Sequence, residues 1–243
     1  MAAQLWAGST AVVSHRAAAG LFGLEGIPVG VVELLTTSCR SDAPVGITIH
    51  RTKALGRGEW GQLGMFRLTG PVRTLLDLAA VVDPIAWEVA TESAIRKDST
   101  LLGRLADRID GLPGRGTPGL RTLREFLAAR DPKAAPTESG LETLMLRLVL
   151  EAGLPPPVRQ YEVFDGAGFV IRLDFAYPEI KLAILTDGYE SHMGRLRFER
   201  DRKQATRLGR LGWAVLYITW RRLKEEPEQV KADLVDAYAR ATA

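Results

Sequence analysis

The stretch FVIRLDFAYPEIKLAILTDG, residues 169–188, decides the fold of the C-terminal part of this sequence. Its apolar and β-branched residues, divided by Pro178, predict two strands. Asp174 lies inside the otherwise apolar first strand, and Asp187 ends the second strand after an apolar run over residues 182–185. Two neighbouring strands that carry carboxylates at a similar depth can hold both side chains around one divalent cation.

Mg²⁺ is the cation that this arrangement favours, because it prefers oxygen ligands and usually takes one or two carboxylates plus substrate phosphates. Glu142, on the helix before the strands, is a third candidate ligand. A cation held by Asp174, Asp187 and Glu142 would polarise a phosphodiester and activate water. Ordinary interpretations stay open: DG is a common hairpin turn, a strand aspartate can point to solvent, and Glu138 and Glu142 suit a helix first turn.

The elements around this stretch predict a mixed sheet flanked by helices. A helix with Thr137 as N-cap and Gly153 at its C-terminal end comes first, followed by the strand VRQYEV. A charged helix over residues 195–211, the strand WAVLYIT and a final helix from about Pro227 come after it. The order αβββαβα therefore predicts an α/β domain over residues 131–243.

The charged helix carries a basic stripe. At 100° per residue, four cations fall on one side of it: Arg200, Lys203, Arg207 and Arg210. Phe198, Ala205 and Leu208 fall on the other side and would face the sheet. Because lysine and arginine contacts to phosphates supply most non-specific affinity for nucleic acids, the stripe predicts DNA as a partner. The ordinary alternative is a solvated helix face.

Two further residues of this region carry chemistry. Asp201 falls within the apolar arc of the helix, where a carboxylate needs a partner, such as Arg172 or the site itself. His192, in the loop after the second strand, is a candidate proton shuttle or phosphate contact, or an incidental loop residue.

The first half of the sequence predicts a smaller α+β domain over residues 1–130. A helix is expected over residues 5–24, strands over residues 31–37, 46–52 and 65–69, and several helices after Pro71, which suits a first helical turn. RDPKAAPT, residues 130–137, has two prolines and small residues, and it predicts a linker between the domains.

Composition excludes several classes of protein. The chain has 243 residues, a net charge of +3 and a single cysteine, Cys39, which excludes an internal disulfide framework and fits a cytoplasmic protein. No apolar run is long enough to span a bilayer, so no membrane partner is expected. The three histidines lie too far apart for a structural zinc site, and no phosphate-binding glycine motif is present. Ser14 and His15 are adjacent, which does not suit a hydrolase triad on a helix.

The segments RLDFAYPEIKLAILTDGYESH and FERDRKQATRLGRLGWAVLYITW resemble a C-terminal domain found in many actinobacterial proteins. That domain is related to very-short-patch-repair endonucleases and belongs to the PD-(D/E)XK restriction-endonuclease-like superfamily. The first half, with SHRAAAGLFGL, VVELLTT, IHRTKAL and PVRTLLDLAAVV, resembles the part that accompanies this domain in AbiEi-type antitoxin-like proteins. The resemblance covers nearly the whole chain and implies a restriction-endonuclease-like fold that acts on DNA with Mg²⁺.

The resemblance also assigns roles to particular residues. The matches to the family's motif are Asp174 as first metal-binding aspartate, Glu142 as the acid of the first helix, Asp187 and Gly188 as the DG pair, His192 as the histidine, and Asp201 with Arg202 as the D-R pair. Related proteins usually have E-V-D-G where this chain has L-T-D-G, so Leu185 replaces the metal-binding glutamate. Either Asp187 and Glu142 reconstitute the site, or this copy has lost nuclease chemistry and kept DNA binding.

These observations give two classes of function. The first is a DNA-binding protein of nuclease ancestry which, if active, hydrolyses phosphodiesters with Mg²⁺. The second is a non-enzymatic antitoxin-like or transcriptional regulator that binds DNA through the basic helix or a protein partner through the N-terminal domain. Family members often carry a winged-helix region before the SHR helix, and if Met1 is the true start we expect that region to be absent here.

Overall fold

The computed structural model describes residues 1–28, 30, 32–38, 43–53, 55–113, 117–130, 137–187 and 195–242. Two residues of the family motif, Gly188 and His192, lie outside these residues. The side chains of Asp187, Arg200 and Asp201 also lie outside the described part, although their backbone is described. Across the described residues, no helix has both the length and the apolar character required to cross a membrane.

The first of two compact units, Met1–Gly140, combines one sheet with six helices among its described residues. Its elements are α1 (Ala2–Ala7), β1 (Val12–Val13), α2 (His15–Leu21), β2 (Val32–Thr36), β3 (Ile47–Arg51), β4 (Trp60–Leu63), β5 (Phe66–Thr69), α3 (Pro71–Leu78), α4 (Pro84–Lys97), α5 (Leu101–Asp110) and α6 (Leu120–Ala129). The strand order is β3-β2-β1-β5-β4. Strand β1 pairs antiparallel with β2 and parallel with β5, so the sheet is mixed.

The helices of this unit enclose an apolar core around Trp87. Its side chain is fully buried, and the indole N–H donates a hydrogen bond of 2.7 Å to the carbonyl oxygen of Leu75. Pro71 occupies the first turn of α3, as the sequence predicts, because its missing N–H has no partner to lose there.

The single helix predicted over residues 5–24 is wrong. The chain instead forms α1, the short strand β1 and then α2. Gly8, with φ 92°, ends α1 in a conformation that favours glycine. Val12 and Val13 then pair with Leu35 and Leu34 of β2, and their β-branched side chains are buried.

The second unit, Leu141–Ala243, has the order of elements that the sequence predicts, with one additional short helix, α9. Its elements are α7 (Gly140–Glu151), β6 (Val158–Asp165), β7 (Gly168–Tyr177), β8 (Leu182–Asp187), α8 (Arg195–Arg210), β9 (Ala214–Thr219), α9 (Trp220–Glu225) and α10 (Pro227–Thr242), with a 3₁₀ turn at Pro178–Ile180. The strand order is β6-β7-β8-β9. The first three strands are antiparallel and β9 is parallel to β8, which confirms the expected mixed α/β fold class.

The two faces of the second sheet are covered by different helices. On one face, Phe175 and Ile184 pack with Met145 of α7 and Leu234 of α10. On the other face, Ala176, Ala183 and Val215 pack with Leu208 of α8. The two predicted aspartates, Asp174 and Asp187, therefore lie on central strands, β7 and β8, of a sheet that is covered on both sides.

Candidate functional site

Asp174 lies on β7 and is held by one residue of the neighbouring strand. Its Oδ2 accepts hydrogen bonds from the backbone N–H of Thr186 at 2.7 Å and from the Thr186 hydroxyl at 2.8 Å. Both hydrogen bonds are accepted by Oδ2. Each of the two oxygens of a carboxylate can accept hydrogen bonds. Asp174 is thus fixed by β8 in an orientation that leaves its Oδ1 with capacity for a further partner.

The regular alternation of β7 is broken at Asp174. Leu173 packs in the core cluster on the α8 face, whereas Phe175 packs in the cluster on the α7 face. Residues two apart in a regular strand point to the same side, so the strand is irregular at the position between them. The sequence pattern of an aspartate inside an apolar strand marks the position of this irregularity.

Gln160 lies on β6 at the position across from Asp174, between two paired positions of the ladder. Arg159 pairs with Phe175 and Tyr161 with Leu173, which places Gln160 across from Asp174. Gln160 has φ 53°, in the left-handed region. For a residue with a side chain this conformation costs about 1–2 kcal/mol, so the surrounding structure must hold it.

Glu142, in the first turn of α7, contacts Gln160. Glu142 is 6% exposed, and its Oε1 accepts a hydrogen bond of 3.1 Å from the side-chain amide of Gln160. The other end of that amide, Oε1 of Gln160, is buried without a hydrogen-bond partner among the described residues. Sequence reasoning missed Gln160, because a glutamine in VRQYEV is an ordinary strand residue until its dihedral angle and neighbours are known.

Leu185 lies at the level of Asp174 on the other side. It follows Ile184, the partner of Phe175, and it packs half-buried with the cluster on the α8 face. The position at which the resemblance leads one to expect a second acid thus packs against the apolar core. No oxygen ligand is available from it.

The predicted metal ligands are only partly covered by the described residues. Asp187 ends β8 and pairs with Thr219 of β9, but its side chain lies outside the described part, as does His192. Within the part of the chain that is described, no three histidine, cysteine, aspartate or glutamate side chains are grouped so as to hold a metal. Among the candidate residues, Glu142 is joined to Gln160 by a hydrogen bond, and Asp174 is joined to Thr186.

Helix α8 turns its apolar side to the sheet, as the wheel predicts. Leu208 is fully buried and Ala205 is half-buried, whereas Lys203 and Arg210 are exposed. Arg200 was predicted on the same stripe, and its side chain lies outside the described residues. Two of the four predicted cations are therefore on the solvent side of the helix.

Arg207, the fourth member of the stripe, is engaged in structure. It donates two hydrogen bonds to the carboxylate of Asp165, at 2.7 Å and 2.6 Å, and others to the carbonyl oxygens of Phe169 and Gly168. The Arg207 hydrogen bonds lower the pKa of Asp165 to about 2. This bidentate contact ties the turn between β6 and β7 to α8.

The same turn exposes two aromatic rings. Phe164 is 58% exposed and Phe169 is 51% exposed, and the rings meet edge to face with centroids 5.7 Å apart. Two exposed phenylalanine rings in contact form a small apolar patch, which is more informative than a single exposed apolar residue. Together with Arg207 they form what we call the hairpin tip: Phe164, Asp165, Phe169 and Arg207.

A second polar cluster, in the first unit, was not predicted. The rings of His15 and His50 are stacked with centroids 3.5 Å apart, and His15 Nδ1 lies 2.9 Å from the Ser14 hydroxyl. His50 Nε2 donates to the buried carboxylate of Glu33 at 3.2 Å, and Glu33 also accepts from the backbone and side chain of Arg16. Burial, and then the neighbouring His50, lower the pKa of His15 to about 3, so its ring is neutral at physiological pH.

Two proteins of Mycobacterium tuberculosis are similar to this chain along nearly its whole length. They are the uncharacterized proteins Rv2248, of strain H37Rv, and MT2308, of strain CDC 1551. Each is 26% identical to this chain over 241 residues, which are 99% of this chain and 86% of the relative. No family model matches the chain, and no solved structure matches it.

Proposed function

We propose that this protein binds DNA through its second unit, and that this unit is of PD-(D/E)XK nuclease ancestry. The observation that carries the proposal is the orientation of α8: Leu208 is buried against the sheet while Lys203 and Arg210 are exposed. Lysine and arginine contacts to phosphates supply the sequence-independent part of DNA affinity. The resemblance of the β7–β8 segment to the nuclease family supports the ancestry.

The hairpin tip supports the same partner. Aromatic side chains next to a basic surface are the platform on which unpaired bases stack, whatever the base. Arg207 binds Asp165 and the backbone of the turn, so the rings of Phe164 and Phe169 are presented on a turn that is fixed to α8. These rings lie in the same unit as Lys203 and Arg210, the two cations that would hold the nucleic acid.

Whether the unit also cleaves DNA depends on the acids. Asp174 and Glu142 have the oxygen donors that Mg²⁺ takes, and a bound Mg²⁺ would supply polarisation of a phosphodiester and activation of water. In this site Asp174 would bind the cation, Thr186 would orient Asp174, and Glu142 would add the second negative charge. Leu185 provides no ligand, and this favours the second candidate, a non-enzymatic antitoxin-like or transcriptional regulator that retains DNA binding. A protein partner for the first unit is part of that second candidate.

The DNA-binding proposal is tested with the double variant Lys203→Glu/Arg210→Glu. Retention of DNA in a gel or filter assay should weaken strongly. Removing two phosphate contacts should also reduce the slope of log affinity against log salt by about 2 for duplex DNA. The assay is run in EDTA, so that its outcome does not depend on a metal.

A matched control has the same change in charge at another place. Arg121 and Arg124 are both exposed on α6 of the first unit, so Arg121→Glu/Arg124→Glu alters the net charge equally. We expect the control to keep the wild-type salt slope. Equal weakening in both double variants would mean that net charge alone decides retention, and the α8 face would be refuted.

A further inference from the structure

Strand β4 forms an edge of the sheet in the first unit, and its residues do not protect that edge. β4 is the last strand in the order β3-β2-β1-β5-β4, and among the described residues no further strand pairs with it. All four of its residues are exposed, and the apolar Trp60 and Leu63 are 42% and 46% exposed. The sequence of the strand, WGQL, has neither a charge nor a proline, which are the features that ordinarily keep an edge strand from pairing with another chain.

The backbone groups on the open side of β4 belong to Trp60 and Gln62. The N–H of Gly70 donates a hydrogen bond of 2.8 Å to the carbonyl oxygen of Glu59, so these two residues form a hydrogen-bonded pair of the antiparallel ladder between β4 and β5. Bonded and non-bonded pairs alternate along such a ladder, which places Trp60 and Gln62 at non-bonded positions. Their N–H and C=O groups therefore point away from β5. An extended strand can satisfy these four groups, whereas a helix has its own backbone groups paired internally.

Gly61, between these two residues, is a glycine that the described fold does not require. Its φ lies outside the left-handed region, and the register of β4 and β5 is regular on both sides of it. A Cβ placed on Gly61 would meet no described heavy atom within 4 Å. A glycine weakens the interior of a strand, and where no bulge or bend needs it, it marks a position that another backbone approaches closely. The centre of the open edge thus has the residue that suits a second strand.

We propose that β4 pairs antiparallel with β4 of a second copy of this chain, in the register centred on Gly61. Trp60 then lies opposite Gln62 of the second copy, and the two symmetry-related pairs exchange four hydrogen bonds, which use every open backbone group of both edges. Antiparallel pairing of a strand with itself has two-fold symmetry, the commonest symmetry of homodimers. Because β4 is uncharged, it does not select a partner of opposite charge, and self-pairing places no like charges opposite each other. This contact lies in the first unit and goes beyond the proposed function.

Disulfide formation at position 61 tests the register. Two residues at a non-bonded antiparallel pair have Cα atoms about 4.5 Å apart, a distance that a disulfide can span. In a Cys39→Ser background, Gly61→Cys should therefore give a covalent dimer under mild oxidation. Leu63→Cys in the same background is the matched control, because it is exposed on the same strand and the register separates the two copies of position 63 by about 13 Å along the strand. It should remain monomeric.

Sedimentation equilibrium of the full-length protein, freed of nucleic acid, measures the association itself. The contact is small, so we expect a reversible dimer at a protein concentration on the order of 100 µM. Gln62→Pro removes the outward N–H and leaves the pairing with β5 intact, as proline does on an edge strand. Two hydrogen bonds are lost across the two-fold axis, which should weaken the dimer about tenfold or more. Gln62→Thr is the control, because it loses the same side-chain bond to the carbonyl of Gly64 but keeps the N–H; it should dimerise as wild type does.

Three results would overturn the proposal. The first is a wild type that stays monomeric at this concentration, which is also the result expected if the edge serves a strand of a different protein. The second is equal association of Gln62→Pro and Gln62→Thr, which would assign the dimer to another surface. The third is cross-linking at position 63 as efficient as at position 61. If Gln62→Pro does not fold, the comparison of the two cysteine variants decides the question.

Discussion

The buried His15 of the first unit makes a quantitative prediction about stability and pH. Its pKa is lowered from 6.5 to about 3, first by burial and then by the stacked His50. Because the unfolded chain takes up a proton near pH 6.5 and the folded chain does so only near pH 3, unfolding binds a proton throughout this interval. The first unit should therefore lose stability as the pH falls below 6.5, and should not lose it above.

The size of the effect follows from proton linkage. Between pH 8 and pH 5 the free energy of unfolding should fall by about 2 kcal/mol from this residue alone, a figure set by the proton that the unfolded chain binds. Glu33 does not interfere in this range. Burial tends to raise the pKa of Glu33, but the hydrogen bonds from His50 and the backbone of Arg16 lower it below 4.5. Its stabilisation is lost only as the pH falls below that value.

The substitution that isolates the effect is His15→Asn. His15 has φ 49°, a conformation that asparagine tolerates better than most residues, and the asparagine amide keeps a polar atom near Ser14. Urea unfolding of the full-length protein at pH 8 and pH 5, followed by pulsed hydrogen–deuterium exchange in peptides of α3 and α4, reports on the first unit. The variant should lose about 2 kcal/mol less than wild type between the two pH values.

The control His50→Gln keeps a donor for Glu33 and leaves His15 buried. It should retain the wild-type pH dependence, because burial is the first cause of the lowered pKa of His15. A His15→Asn protein with the same loss as wild type would refute the assignment of the pH dependence to this ring.

Two other predictions concern the second unit. Leu185→Glu introduces the acid that the proposed nuclease ancestry implies at this position, so this variant should nick plasmid DNA in Mg²⁺ or Mn²⁺, and Leu185→Glu combined with Asp174→Ala should not. Nicking that persists in the combined variant would indicate a contaminant. No gain at all would contradict the idea that this one substitution separates the chain from an active nuclease. Arg207→Ala should release the turn between β6 and β7 from α8. Amide exchange around Phe169 should then become faster, with little change in global unfolding. Lys203→Ala is the control, and equal exchange in both variants would contradict the anchoring role of Arg207.

The sequence was sufficient for the elements with strong local signals. The two strands that carry Asp174 and Asp187, and α8 with its opposed basic and apolar sides, are formed where their patterns predict. Strand β1 escaped prediction because two valines after Gly8 give no periodicity of their own, and they become a strand only by pairing with β2 and β5. Tertiary pairing thus overrides the helical character of the flanking alanines.

The candidate site was predictable only where a residue type is unusual for its element. An aspartate within an apolar strand is such a residue, and it identified Asp174. Gln160 and the His15–His50 pair have no comparable signal, because their properties are a dihedral angle and a contact between residues distant in sequence. Arg207 was predicted from its place on the helix, yet a wheel does not show that Asp165 lies beside it.

Leu185 explains how a site of this kind can change without loss of the fold. An unpaired glutamate at this half-buried position would be desolvated next to Asp174, which is unfavourable unless a cation compensates. A leucine there packs with the cluster that includes Leu208, and this contact stabilises the unit whether or not a cation is present. If the unit has the proposed nuclease ancestry, a leucine at this position exchanges cation affinity for core packing.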